Sequence, residues 1–290
     1  MALTIKRYPT LTSTSTEAAA LGDKAVHGTV VVTDCQTAGR GQRGNSWEAE
    51  PGRNLTFSLV LRPQAWQPAR QFELSMVNAL AMVQVLDSLL DDAADSEDDS
   101  AGGVTDNARH EADNANNGRR HRAYIKWPND IYVDDLKISG VLIENVISAT
   151  SIHRMIIGAG ININQTAFSS PAPNPVSLKQ LTGQDYDLDD LLTRFATAMT
   201  EAIDSYVASP DPESMAARYH SRLWRNDGQM HRWIDKTDTP DNSTVAHGDT
   251  ADSRIFTAAI SGVQPDGTLT MRLPDGSSRV FAFKQVAAVL

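Results

Sequence analysis

Residues 39–55 read Gly39-Arg40-Gly41-Gln42-Arg43-Gly44-Asn45-Ser46-Trp47-Glu48-Ala49-Glu50-Pro51-Gly52-Arg53-Asn54-Leu55. The run from Gly39 to Gly44 satisfies G-x-G-x-x-G, and it follows the β-branched stretch Val30 to Thr33, which reads as a buried strand. A dinucleotide fold would require a helix immediately afterwards, with its N-terminus holding the pyrophosphate. Here Pro51 and Gly52 follow, both poor helix formers, and a second strand pattern opens at Leu55. The glycine pattern therefore stands in the wrong context for a Rossmann fold. A G-x-x-x-x-G-K-[ST] phosphate loop is also absent from the sequence. What remains is a doubly cationic loop between two strands. Its glycines permit close backbone approach to a ligand, and Arg40 and Arg43 can clamp an anion. From the loop alone, a solvent-exposed hairpin loop is an equal reading.

Working outward, Leu55, Phe57, Leu59 and Leu61 alternate with Thr56, Ser58 and Val60, which predicts a strand with one buried face. Phe72, Met76, Leu80, Val83, Leu86 and Leu90 recur at helical spacing, predicting an amphipathic helix over Gln71 to Leu90. Tyr124 to Trp127, Leu136 to Val146 and Met155 to Ile163 read as strands, the first two joined through Asp134-Asp135. Leu188 to Val207 and Glu213 to Trp224 read as helices. The mixture is that of an α/β or α+β sandwich. After Trp224 the pairs Asp227-Gly228, Asp266-Gly267 and Asp275-Gly276 separate short alternating runs, such as Thr268 to Leu273 and Val280 to Phe283. Such pairs favour tight hairpins, so a small antiparallel barrel or sandwich is expected there.

The chain has 290 residues, a net charge of −10 and one cysteine, Cys35. A disulfide framework and a thiolate metal cluster are thereby excluded. The acidic balance argues against a general nucleic-acid binder. Nine acidic and four basic residues fall between Asp91 and Arg122. That stretch has almost no large apolar side chains and is expected to be a disordered surface insertion, read as a solvated linker. No apolar run approaches ~18 residues, and the opening MALTIKRYPTLTSTSTEAAAL lacks the apolar core of a secretory signal. A cytoplasmic protein without a membrane partner is expected.

Four segments together resemble the biotin protein ligase family. Gln36 to Trp47, QTAGRGQRGNSW, resembles its GRGRRGRxW signature. Lys126-Trp127-Pro128-Asn129-Asp130 with Lys137 to Glu144, KISGVLIE, resembles its KWPND…K[LI]xG[IV]L[IV]E block. Gly158 to Asn164, GAGININ, resembles GxGINxN, and Leu11 to Glu17 resembles the STN segment. The resemblance spans about Leu11 to Asn164. It implies an α+β fold: a mixed-sheet catalytic domain of the biotin/lipoate ligase type over 1–225 and a small SH3-like β-barrel over 226–290. It also implies an enzyme that makes biotinyl-5′-AMP from biotin and MgATP. That enzyme then biotinylates a lysine on the carrier domain of acetyl-CoA carboxylase or a related biotin-dependent carboxylase.

The resemblance carries over residue by residue. Lys137 matches the lysine that contacts biotin and phosphate, with Arg40 and Arg43 beside it as catalytic cations. Ser13, Thr14, Ser15, Gln36, Gly41, Gln42 and Gly140, with Arg40 and Lys137, match the biotin contacts. Trp47, Lys126, Asn129, Asn162 and Asn164, with Arg40 and Arg43, are expected at ATP or the adenylate. Trp127 is a further candidate apolar wall, and Asn129 and Asp130 are oxygen donors suited to Mg²⁺. Physically, joining a carboxylate to a triphosphate needs cations to offset converging negative charge. The chain departs from the pattern where Ser15 stands for the asparagine of STN, where Gln42 stands for an arginine of the loop, and in the acidic insertion before Tyr124. An alternative register places Ser15-Thr16-Glu17 on that segment. The chain reaches Ser13 too soon for the helix-turn-helix of some members, so the form without DNA binding is expected; a homodimer is left open. The competing readings are a lipoate or octanoate ligase and a biotin-binding regulator with weak catalysis.

Overall fold

The structure, a computed structural model, describes residues 2–41, 47–100, 120–148, 150–169, 174–237 and 254–290, with backbone alone for 97–100. Seven strands form one mixed sheet: β1 (Thr4–Leu11), β2 (Thr29–Gln36), β3 (Leu55–Leu61), β4 (Ala123–Lys126), β5 (Asp130–Val133), β6 (Leu136–Ile147) and β7 (Ile152–Ile161). Their spatial order is β1-β2-β3-β7-β6-β5-β4. Only β1 and β2 run parallel; every other pair is antiparallel.

Both faces of this sheet are covered at its centre. Leu55, Phe57, Leu59 and Leu61 of β3 face the long helix α2 (Gln71–Ser100) in the main core. On the opposite face, Val60 packs with Val31, Ile156 and Ala18 of α1 (Thr14–Ala20). All seven residues of β3 are consequently buried, which corrects the expectation of one solvated face. The alternation in sequence marks two differently covered faces, one apolar and one lined by small hydroxyls.

Three helices complete the first layer: α3 (Leu178–Thr182), α4 (Leu188–Ala208) and α5 (Pro212–Ser221). Each begins on a residue that caps by side chain. Ser177 forms a reciprocal capping box with Gln180, Asp187 accepts from the Asp189 and Asp190 amides, and Asp211 accepts from Ser214. Between α2 and α4, buried Glu73 accepts bonds from Arg70 and from the Tyr206 hydroxyl. Helix α2 is long and apolar enough to cross a membrane by length and composition, but most of that window is buried inside the protein.

Two expectations are corrected here. Asp91 to Ser100 continue α2 rather than opening a disordered insertion. The preceding core turns already provide the costly nucleus, and Arg120 pairs with Asp91 and Asp95, at 3.6 and 2.9 Å. The rest of that acidic stretch, 101–119, lies outside the described residues. Second, β4 and β6 are not directly joined. Lys126 to Asp130 is itself a hairpin, with Lys126 opposite Asp130, and β5 then turns at Asp134-Asp135 into β6.

The C-terminal part forms a second sheet from β8 (His231–Asp235), β9 (Ile255–Val263), β10 (Leu269–Arg272), β11 (Ser278–Phe281) and β12 (Val286–Ala288), ordered β11-β10-β9-β8-β12. It is antiparallel as expected, but among the described residues β11 and β12 remain its edges and no closed barrel forms. Gly267 and Gly276 take the positive φ of the hairpin turns, at 91° and 86°. Two hydrogen bonds help seat the second sheet on the first layer. His220 accepts the Val263 amide at 2.9 Å, and Trp127 donates its indole N–H to the Gly267 carbonyl at 3.0 Å.

Candidate active site

One face of the large sheet beyond the cover of α1 carries the candidate site. Successive inward positions of β6 and β7 are glycines there, with Gly140 opposite Gly160 and Gly158 opposite Leu142. Each glycine makes room for a named neighbour. A Cβ on Gly158 would lie 2.5 Å from Ser15 Oγ. A Cβ on Gly140 would lie 3.1 Å from Trp47 Cζ3 and 3.5 Å from Lys137 Nζ, and one on Gly160 would overlap the Trp47 indole. The indole therefore lies across both strands, its six-membered ring over Gly140 and its pyrrole edge over Gly160. Its Nε1 is buried with no hydrogen-bond partner.

Lys137 is fixed by its backbone on two sides. It pairs with Tyr132 of β5, while its N–H donates to Asn174 and its carbonyl accepts from Val176, at 2.8 and 3.0 Å. Its Nζ donates to Asp130 Oδ2 at 2.6 Å. Arg40 reaches Glu144 Oε2 at 3.3 Å from the other side of the platform. Glu144 shares a strand face with Gly140 because alternate β6 residues point the same way. Lys137 and Arg40 thus face carboxylates, an arrangement an anionic ligand can replace by exchange of partners.

The polar end is built by α1 and its neighbours. Gln36 Oε1 accepts from the Thr14 amide and hydroxyl, at 2.8 and 3.3 Å. Ser58 donates to Thr14 Oγ1 at 2.9 Å and lies 3.1 Å from Ser15 Oγ. Ser13, Thr14 and Ser15 are all buried. Gly39 bridges this end to the platform, since a Cβ there would lie 2.9 Å from Gln36 Nε2 and 3.0 Å from the Trp47 carbonyl. The structure thus brings Ser13, Thr14, Ser15, Gln36, Trp47, Asp130, Lys137 and Gly140 into one connected groove. Arg40 and its neighbour Gly41 flank it; Gln42 and Arg43 lie outside the described residues.

Other expected ligands have different partners. Asn164 exchanges two hydrogen bonds with the Tyr186 backbone, at 2.8 and 3.0 Å, so its amide pins the segment ahead of α4 rather than facing a nucleotide. Asn129 donates to the Val141 carbonyl at 3.0 Å and is buried, a brace for the β4–β5 hairpin. Asn162 donates to Val176 at 3.0 Å and retains a buried Oδ1 without a partner. Lys126 points to Tyr132, donating to its hydroxyl at 2.8 Å, with its ammonium over the Tyr132 and Trp224 rings. Burial pushes the Lys126 pKa down, opposed by the nearby Asp130 carboxylate. Trp127 packs against Phe283 with the rings tilted by 45° and their centroids 5.3 Å apart, on the side of the second sheet.

The donor set limits what metal the groove can hold. Among the described residues no group of three His, Cys, Asp or Glu side chains converges. The expected metal donors are two oxygens, the Asp130 carboxylate and the amide oxygen of Asn129, whose Nδ2 is bonded to Val141. That fits a Mg²⁺ carried in by phosphate oxygens and water, and does not fit a cage of protein ligands. Ser58 and Glu144 were missed from sequence. Ser58 alternates with the apolar residues of a strand read as having one solvated face, so its hydroxyl read as a surface group; nothing in the spacing distinguished Glu144 from a surface acid.

A sequence profile of the Biotin/lipoate A/B protein ligase family matches residues 8–162, a span that contains every element of this groove. The chain belongs to that family. Among individual biotin/lipoate ligase relatives, the biotin–[acetyl-CoA-carboxylase] ligase of Paracoccus denitrificans is 30% identical over 213 residues, covering 71% of this chain and 77% of that protein. The bifunctional ligase/repressor BirA of Bacillus subtilis is 32% identical over 199 residues, covering 68% of this chain and 47% of BirA. The chain thus spans about half the length of the Bacillus relatives it matches. A biotin protein ligase from Aquifex aeolicus, solved in complex with biotin and ATP, superposes with a TM-score of 0.68 at 20% identity, over 98% of this chain and 97% of that one. At that identity the structural likeness speaks for the shared family fold.

Proposed function

We propose that this family member is an ATP-dependent biotin protein ligase. The observation that carries the reading is the groove itself: a rigidly held lysine, a glycine platform sized for a flat ring, and a buried hydroxyl–amide cluster in contact with one another. The similarity to ligases named for biotin supports the choice of acid. The reading does not depend on Asn164 or Trp127, whose side chains have structural partners.

In the first step the biotin carboxylate attacks the α-phosphorus of ATP. A phosphorus–oxygen bond forms to the carboxylate, the bond to pyrophosphate breaks, and biotinyl-5′-AMP results. Lys137 offsets the converging negative charge from a backbone that does not have to reorganise. Arg40 supplies a second positive charge by leaving Glu144. Thr14, Ser15 and Gln36 hold the polar head of the acid. Asp130 positions Lys137 and is the side chain that would share a nucleotide-borne Mg²⁺, which lowers the charge on the phosphates. In the second step the amine of a carrier-domain lysine attacks the mixed anhydride, AMP departs with the bonding electrons, and the amine proton passes to solvent. The carrier is the biotin-accepting domain of a carboxylase.

The second sheet is read as an SH3-like cap on the ligase layer, supported by its Trp127 and His220 contacts. The protein is assigned to the cytoplasm on its sequence texture. Incubation with ATP and, separately, biotin, lipoate and octanoate tests the reading through pyrophosphate release. Release with biotin alone is expected; release with lipoate or octanoate in its place would transfer the chain to the other branch of the family.

A further inference from the structure

We propose that Trp47 is a built-in competitor for the ring site: its indole lies across the Gly140–Gly160 platform, and the acid's fused ring system binds by displacing it. The inference rests on the proposed biotin reading for the identity of the displacing ligand, and on the geometry alone for the occupied state.

Three observations carry it. First, the indole covers the two facing glycines so closely that neither could bear a Cβ without moving it. A surface cleared of side chains on adjacent strands is a place for a flat group to lie, and a fused six–five ring is there. Second, the indole Nε1 is buried without a hydrogen-bond partner. Buried donors are nearly always satisfied; this one is not, so the indole gives up no hydrogen bond when it leaves the platform. Third, the charged groups around it are satisfied internally, Lys137 by Asp130 at 2.6 Å and Arg40 by Glu144 at 3.3 Å. Ring slot and cations are occupied together, as in a site closed on its own side chains. An acid bearing a compact bicyclic head and a carboxylate tail replaces both sets of contacts at once: its ring takes the platform and its carboxylate takes Lys137. Displacement taxes apparent affinity by the fraction of molecules in which the platform is clear.

The indole N–H resonances of uniformly ¹⁵N-labelled protein test this, the Trp47 signal being identified by its loss in Trp47→Phe. In the free protein that N–H is expected to resonate upfield, as a donor without an acceptor does, and to exchange slowly with solvent. Biotin is expected to shift it to an exposed, fast-exchanging position as the remaining signals report binding. Trp47→Ala is expected to bind biotin about tenfold more tightly than wild type, as removal of a competitor present in about nine molecules of ten requires. A wall residue would give the opposite sign. A fast-exchanging Trp47 N–H in the free protein overturns the proposal, whatever biotin does. A protected N–H that stays protected while biotin saturates other signals also overturns it, leaving the proposed function standing. No response of any signal to biotin overturns the displacement and the proposed function together.

Discussion

Lys137 illustrates how a single residue becomes useful through its neighbours. A lysine on a strand is ordinarily a solvated charge. Here its backbone is bonded to Tyr132 on one side and to the 174–176 segment on the other, and its Nζ is aimed by Asp130. Lys137→Ala is expected to slow biotin-dependent pyrophosphate release by about 10²–10³-fold, the scale of losing one preorganised electrostatic contact, with an unchanged circular dichroism spectrum. Lys137→Arg is not expected to restore it, since a planar fork does not fit the position of a compact ammonium. Asn164 makes the contrast. Asn164→Ala is expected to lower stability by about 1–2 kcal/mol through loss of the paired bonds to Tyr186, with the KM for ATP unchanged; a large rise in that KM would return Asn164 to the nucleotide. The difference between the two was not legible in sequence. The alternation Ile161-Asn162-Ile163-Asn164 shows that the asparagines share a face, but the partner is supplied by a chain segment more than twenty residues away, at Tyr186. Lys137 was legible because its whole block, from Lys126 through Glu144, folds locally into consecutive hairpins.

Among elements, those set by local pattern were legible and those set by pairing were not. The bounds of β3, α4 and β6 follow closely from apolar periodicity. Strand β1 escaped because it is an edge strand with largely exposed residues, held by parallel pairing to β2 rather than by burial. Strand β5 escaped because Asp130 to Val133 is short and lies inside a stretch read for its chemistry. The glycines of β6 and β7 read as motif letters, whereas their role is spatial. Gly158→Ala is expected to force Ser15 out of its place, lowering biotin affinity at least tenfold and stability by about 1–3 kcal/mol from overpacking. Calorimetric titration and urea denaturation measure the two effects. The seam between α2 and α4 carries a pH signature. Burial raises the Glu73 pKa, but bonds from Arg70 and Tyr206 more than offset it and hold the carboxyl below its ordinary range. A depressed folded pKa stabilises fully above the unfolded value, and the contribution is lost as pH falls through the folded value. Glu73→Gln is therefore expected to cost about 1–3 kcal/mol at pH 7, and the gap to wild type should narrow as denaturation is repeated below pH 4.5, the ordinary value. A gap independent of pH would show that packing, not charge, holds the seam.

At the scale of the whole molecule, two sheets divide the work. The seven-stranded sheet supplies the platform, the lysine and the polar end, while the second sheet bears on α5 and on the β4–β5 turn through His220 and Trp127. Trp127 adjoins Lys126 and Pro128 in the hairpin that closes on Asp130, so the second sheet braces the segment that aims Lys137. Gly267 fits against Phe72 only as glycine, since a Cβ there would lie 2.8 Å from the ring. Gly267→Ala is expected to loosen this brace, lowering the ligase rate more than it lowers biotin affinity. Transfer is read out by intact mass spectrometry of a purified biotin carboxyl carrier domain after incubation with this protein, biotin and MgATP. One biotinyl group is expected at a single lysine, absent without ATP and formed about 10²–10³-fold more slowly with Lys137→Ala. An unmodified carrier, or a carrier modified only when lipoate or octanoate replaces biotin, would contradict the proposed function.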